Sequence, residues 1–119
     1  MGEWTVEFDD DFAGEFRSFA EEVQTEIAAR AELLAQFGPM LGRPFVDTLN
    51  GSKHANMKEL RLTINDGVWR VAFAFDPDRK AILLVAGDKS GVPQRRFYRK
   101  LIQIADKRFD KHLKQLGGN

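Results

Sequence analysis

Two arginines on neighbouring strands supply the first chemistry legible in this chain. Between Met57 and Lys89 the sequence reads as three short strands joined by turns at Asn65-Asp66-Gly67 and Asp76-Pro77-Asp78. Trp69, Val71, Phe73 and Phe75 alternate with Arg70, Ala72 and Ala74, while Leu60, Leu62 and Ile64 alternate with Glu59, Arg61 and Thr63. Successive strand side chains point to opposite faces. If the apolar faces coincide, Arg61 and Arg70 project together from an open face over small residues. Two fixed guanidinium groups there make a seat for a phosphate. In-line attack at phosphorus builds negative charge on the phosphoryl oxygens, and fixed cations aimed at that charge are the lever such a site has. The competing reading of Arg70 is a salt bridge across the sheet to Glu59.

Other residues extend or dilute this picture. Arg95, Arg96, Arg99 and Lys100 cluster where a last helix begins, a position the helix dipole disfavours for cations. An external anion such as RNA rationalises them; a solvated face is the alternative. His54, in a polar loop, has an ordinary pKa suited to proton transfer. Lys58 falls on the apolar parity at a strand end, where snorkelling competes with catalysis. His112 reads as a surface residue, and two distant histidines do not suggest a metal site.

The elements that must position these groups follow from periodicity. Trp4 to Phe8 alternates as a first strand. Asp9, Asp10 and Asp11 offer N-caps, and Phe12, Phe16, Phe19, Val23, Ile27, Ala31 and Leu34 mark helical structure from about 11 to 37. The element is one helix or, with a break near Ala20 to Glu22, a helical hairpin; Gly38-Pro39 ends it. Residues 40–56 form an exposed connection with a short extended piece around Phe45 to Leu49. Ala81 to Ala86 is the third meander strand, and Phe97, Leu101, Ile104, Ala105, Phe109, Leu113 and Leu116 stripe a final helix closed by Gly117-Gly118. The order points to an α+β domain spanning 1–119, with helices packed on one sheet face and the arginine-bearing face left open.

The bulk properties bound the answer. The chain has 119 residues and no cysteine, which removes disulfides and thiolate chemistry and fits a reducing compartment. No apolar run is long enough to cross a bilayer and the acidic start does not resemble a secretory signal, so a soluble cytoplasmic protein is expected. The formal net charge is +0, yet residues 1–40 hold ten acids against two bases, a net of −8, and residues 41–119 hold sixteen bases against eight acids, a net of +8. Such a polar molecule can present a cationic face to an anion despite zero overall charge.

Several motifs are shared with a known family. ELR at Glu59 to Arg61, GVWRVAFAFD around Arg70 and GDK at Gly87 to Lys89 resemble the RelE/ParE toxin superfamily in order and spacing. The run LGRPFVDTLNGSKHANMKELR and the later ADKRFDKHL are most similar to its phage-derived, HigB-like branch, and the similarity spans Trp4 to Leu113. The resemblance implies a toxin of a type II toxin-antitoxin pair on a RelE/ParE-like fold. It implies a ribosome-dependent messenger-RNA endoribonuclease using metal-free attack by the ribose 2′-hydroxyl, with no cofactor. Its expected partners are the ribosome, messenger RNA and a cognate antitoxin of HigA-like helix-turn-helix type, not a membrane. ParE members share the fold but act on DNA gyrase; that activity, and a decayed non-catalytic RNA- or partner-binding module, are the alternatives.

By the same resemblance Arg70 would bind the scissile phosphate with support from Arg61. Lys89 would stabilise the transition state or protonate the leaving group, and Tyr98 would orient or deprotonate the 2′-hydroxyl. One departure stands out: relatives carry lysines near the positions of Met57 and Glu59. Either Glu59 is a base or a partner of Arg61, or the cationic role moves to Lys53, His54 or Lys58.

Overall fold

The computed structural model describes residues 4–117. Gly118, half of the expected helix stop, lies outside them. The chain runs β1 (Thr5–Phe8), α1 (Asp10–Arg17), α2 (Glu21–Phe37), a 3-10 turn at Gly38–Met40, β2 (Val46–Thr48), β3 (Met57–Ile64), β4 (Gly67–Phe75), β5 (Lys80–Asp88) and α3 (Gln94–Leu116). The strands form one sheet in the order β1-β5-β4-β3-β2, with β1 parallel to β5 and every other pair antiparallel. The α+β class holds. The meander is widened to five strands because the extended piece at 46–48 pairs with β3 and the first strand pairs with β5.

Local chemistry accounts for the turns. Asn65 sits at φ 54, a left-handed conformation that asparagine tolerates, so β3 returns directly as β4. At the second turn the Asp76 carboxylate accepts from the amides of Asp78 (2.8 Å) and Lys80 (3.0 Å). The helical stretch breaks at Ser18 to Ala20, slightly before the expected position. No glycine or proline is needed there. The Ser18 hydroxyl donates to the Glu15 carbonyl at 2.6 Å, and the Gln24 amide donates to the Phe19 carbonyl at 2.9 Å, so the exposed helix ends find side-chain partners. The break lets Phe12, Phe16 and Phe19 close into one aromatic cluster with Phe8, and Phe19 meet Trp69.

The helices do not share one sheet face, which corrects the expectation of an open arginine-bearing side. Phe12, Val23, Ile27 and Leu34 of α1 and α2 pack on Leu60, Leu62, Val71, Phe73 and Leu83. On the opposite side, Leu101, Ala105 and Phe109 of α3 pack on Met57, Ala72, Ala74, Ile82, Leu84 and Val85. The small residues that made this face look bare are what lets a helix approach it. Covering each large side chain of this layer, Leu101 and Phe109 among them, contributes about 1.5–3 kcal/mol relative to exposure, so an uncovered α3 stripe would be costly. Close approach also needs Gly87: a Cβ there would lie 3.1 Å from the Phe97 ring.

Candidate active site

The register of β3 and β4 sets Arg61 directly opposite Arg70, and Glu59 opposite Ala72, all on the α3 face. Like charges placed opposite each other destabilise a sheet, so other groups must compensate. They come from α3 and β2. Tyr98, one turn into α3, places its hydroxyl between the two charged side chains: it donates to Glu59 Oε1 at 2.8 Å and accepts from Arg70 Nε at 3.2 Å. Arg70 also donates to the Trp69 carbonyl (2.9 Å), and its Nε lies 3.7 Å from Glu59 Oε1. Asp47 of β2 lies 3.9 Å from Arg61 and 3.0 Å from Arg43.

Burial divides this cluster into a floor and a mouth. Arg70 and Glu59 are only 5% and 6% exposed. Glu59, Arg61, Lys89, Arg95, Tyr98 and Asn50 all line an open groove of about 570 Å³; Arg70 does not. Arg70 is covered by α3 instead of lying on an open face, with its Nε engaged by Tyr98 and one terminal nitrogen by the Trp69 carbonyl. Arg61 is half-buried, and its Nε is buried without a hydrogen-bond partner. Lys89 Nζ stands 5.6 Å from the centroid of the Tyr98 ring. Pro93, the residue before α3, supplies no side-chain cap, so the first-turn amides of α3 beside Gln94 and Arg95 add partial positive charge at the rim.

The protonation tendencies fit these surroundings. Burial, and then its bond to the Glu59 carboxylate, raise the Tyr98 pKa against the opposing pull of Arg70. The phenol is thus held protonated, with its hydrogen directed at the Glu59 carboxylate. Burial and the nearby Arg70 and Arg61 charges lower the Lys89 pKa, only partly offset by Glu59. The Thr48 amide and the Arg43 side chain lower that of Asp47.

The structure thus gathers Arg61, Arg70, Lys89, Tyr98 and Arg95, and it separates the rest. His54 bonds Asp110 at 2.7 Å and stands edge-on to Phe109, roughly 18 Å farther along α3 at about 1.5 Å per residue. Lys53 pairs with the same Asp110. Lys58 lies opposite Phe73, on the face toward α1 and α2. Arg96 and Lys100 flank a different, apolar groove between β5 and α3, and Arg99 points to solvent. His112 is not a free surface residue but bonds the buried Asp76 at 2.8 Å. Glu59 is the member whose role the sequence left open; its shared parity with Arg61 was the signal. Asp47 and Asn50 had none. Among the described residues no group of three potential ligands could hold a metal ion, and no helix is long and apolar enough to cross a membrane.

With this geometry in place, comparison with known proteins identifies the family. The family described as Phage derived protein Gp49-like (DUF891) matches residues 14–110. The chain belongs to that family. Two proteins of Mycobacterium tuberculosis, named as candidate toxins HigB2 and HigB3, are similar to it. HigB2 is 47% identical over 90 residues, which are 75% of this chain and 44% of HigB2 itself. HigB3 is 43% identical over 98 residues, 82% of this chain and 83% of HigB3. The chain thus spans less than half of HigB2 and most of HigB3.

Among solved structures, a double arginine-to-alanine mutant of the E. coli toxin RelE in the free state superposes with a TM-score of 0.61. The identity is 12%, over 88% of this chain and 96% of RelE. RelE in the archaeal RelE-RelB complex from Pyrococcus horikoshii gives 0.55 at 14% identity, over 75% and 98%. The Gp49-like chain therefore carries a RelE-type fold and is similar in sequence to the HigB proteins.

Proposed function

We propose that this protein is the toxin of a type II toxin-antitoxin pair, an endoribonuclease that cuts messenger RNA on the ribosome. The observation that carries the reading is the Tyr98 hydroxyl, held between Glu59 and Arg70 at the floor of a groove edged by Arg61, Lys89 and Arg95. The ribose 2′-hydroxyl gives its proton by way of Tyr98 to Glu59 and attacks the adjacent phosphorus. Arg61 and Lys89 take the charge that develops on the non-bridging oxygens. The Lys89 ammonium, made more acidic by its surroundings, donates the proton that the departing 5′-oxygen needs. The products are a cyclic phosphate and a 5′-hydroxyl, and Arg70 serves by fixing Tyr98 and Glu59. A groove this open does little to align a flexible strand, so the ribosome supplies the alignment. A neighbouring antitoxin that covers these cations fits the same reading, as does a cytoplasmic location.

The test is expression of the full chain followed by mapping of transcript ends. Growth arrest with new 5′-hydroxyl ends in translated messages is expected, and Lys89→Ala and Tyr98→Phe remove both while the protein stays folded. Arrest with intact transcripts would overturn the nuclease reading in favour of a gyrase-type target.

A further inference from the structure

β5 carries one residue more than its partner accommodates. Phe73 pairs with Leu83 whereas Ala72 pairs with Val85, so Leu84 has no residue opposite it. Before this bulge Ile82 lies opposite Ala74 on the α3 face. After it, Val85 lies opposite Ala72 and Gly87 opposite Arg70, and the Lys89 amide donates to the Val68 carbonyl at 2.8 Å. Lys89 therefore joins Arg70 on the α3 face. An unbulged strand of period two would put Ala86 opposite Arg70 and turn Asp88 toward the site instead of Lys89. One inserted residue decides whether the groove receives a cation or a carboxylate. Asp88 is in fact turned outward, accepting from the amides of Val68 (3.0 Å) and Ser90 (2.9 Å).

The bulge has an identifiable clamp. The carbonyl of the bulged Leu84, a fully buried residue, accepts from Arg108 Nη1 at 2.8 Å. Arg108 is itself held by the Glu15 carboxylate at 3.0 and 2.6 Å and lies 3.7 Å from Asp9. The flat guanidinium can bond the carboxylate of α1 and the strand carbonyl at once, which a lysine cannot reproduce. Without it the Leu84 carbonyl loses a charged donor at a buried position, and slippage of β5 relieves that cost.

We propose that Arg108, on α3 roughly 15 Å from Tyr98, is a positioning residue for the candidate site: by holding the Leu84 carbonyl it fixes the bulge that turns Lys89 toward Arg70 and Tyr98. The catalytic consequence rests on the nuclease reading, but the placement of Lys89 does not and is measurable without RNA.

The experiment follows the Lys89 side chain of the full chain by NMR, recording its contact with the Tyr98 ring and its titration. In the unaltered protein the contact is present and the ammonium titrates below the ordinary lysine value of about 10.4. Arg108→Met loses the contact and returns the titration toward about 10.4, while the resonances of Leu101 and Phe109 keep their packed positions; Arg108→Lys recovers part of both. A merely structural arginine would lower the melting temperature and leave Lys89 where it is. Should Arg108→Met fail to fold, Glu15→Gln loosens the clamp from a half-exposed position and is read in the same way, with a smaller displacement. A folded variant with unchanged Lys89 contact and titration overturns the proposal. Displacement of Lys89 in a protein that never cuts RNA upholds the positioning and sinks the nuclease.

Discussion

Replacing Tyr98 with phenylalanine removes a single oxygen from the floor of the groove, and the structure sets what that should cost. Two hydrogen bonds to charged groups disappear, at 2.8 Å to Glu59 and 3.2 Å from Arg70. Such bonds contribute about 1.5–3 kcal/mol each. Glu59 and Arg70 remain 3.7 Å apart and can close on each other, and the ring keeps its edge contact with Phe97. The net loss should therefore be about 1–3 kcal/mol, or about 4 °C in melting temperature per kcal/mol for a chain of this size. The protein stays folded. Activity should suffer far more, because a positioned proton-transfer group contributes about 10²–10⁴ in rate. The assay is single-turnover cleavage of a reporter message on purified ribosomes, with thermal unfolding as the control. If the proton travels through Tyr98 to Glu59, Glu59→Gln lowers the rate by a similar factor and the double variant is no worse than the more damaged single one. Tyr98→Phe cutting within a few-fold of the unaltered protein, or additive losses in the double variant, would refute the proton route.

The remaining expectations separate scaffold from chemistry. Arg70→Met strands the Glu59 carboxylate in a buried site and should cost about 3–5 kcal/mol of stability, whereas Arg61→Ala, half-exposed with only a 3.9 Å contact to Asp47, should cost under about 1 kcal/mol yet lower cleavage about 10²–10³-fold; chemical denaturation and single-turnover rates tell the two apart. Because burial and Arg70 lower the Lys89 pKa, its charge is lost earlier as pH rises, so cleavage should decline on the alkaline side below the ordinary lysine value; a rate profile for Lys89→Arg should stay flat there. For Asp76, burial works against the charged carboxylate but bonds from His112 and the amides of Lys80 and Asp78 outweigh it and lower its pKa. Its contribution to stability is present above the unfolded value of about 3.9 and lost as pH falls through the lower folded value, so Asp76→Asn should flatten the acid limb of a stability-against-pH curve.

The strands, both meander turns and the stripe of α3 were legible because period-two and period-3.6 patterns are strong there. The break at Ser18 was not, since its satisfaction comes from Ser18 and Gln24 side chains and not from a breaker residue. The roofing of the arginine face was missed for a different reason: Ala72 and Ala74 look like empty surface until a helix is known to need that room. Simple alternation also misplaces Lys89, because a bulge is invisible to a count of every second residue. Five of the expected site residues converge all the same: Arg61, Arg70 and Lys89 through strand pairing, Tyr98 and Arg95 through the start of α3. His54 does not, because the loop that carries it runs along α3 to Asp110.

Arg61 has one more consequence, a practical one. Its half-exposed guanidinium is held only loosely by Asp47 and edges the groove beside Lys89 and Arg95. Buffer choice is then not neutral for this protein. If the groove seats an RNA phosphate as proposed, millimolar sulfate or inorganic phosphate should compete for it, raising apparent thermal stability by mass action while masking cleavage, so preparations stored in such salts should look sturdier and less active than those kept in chloride.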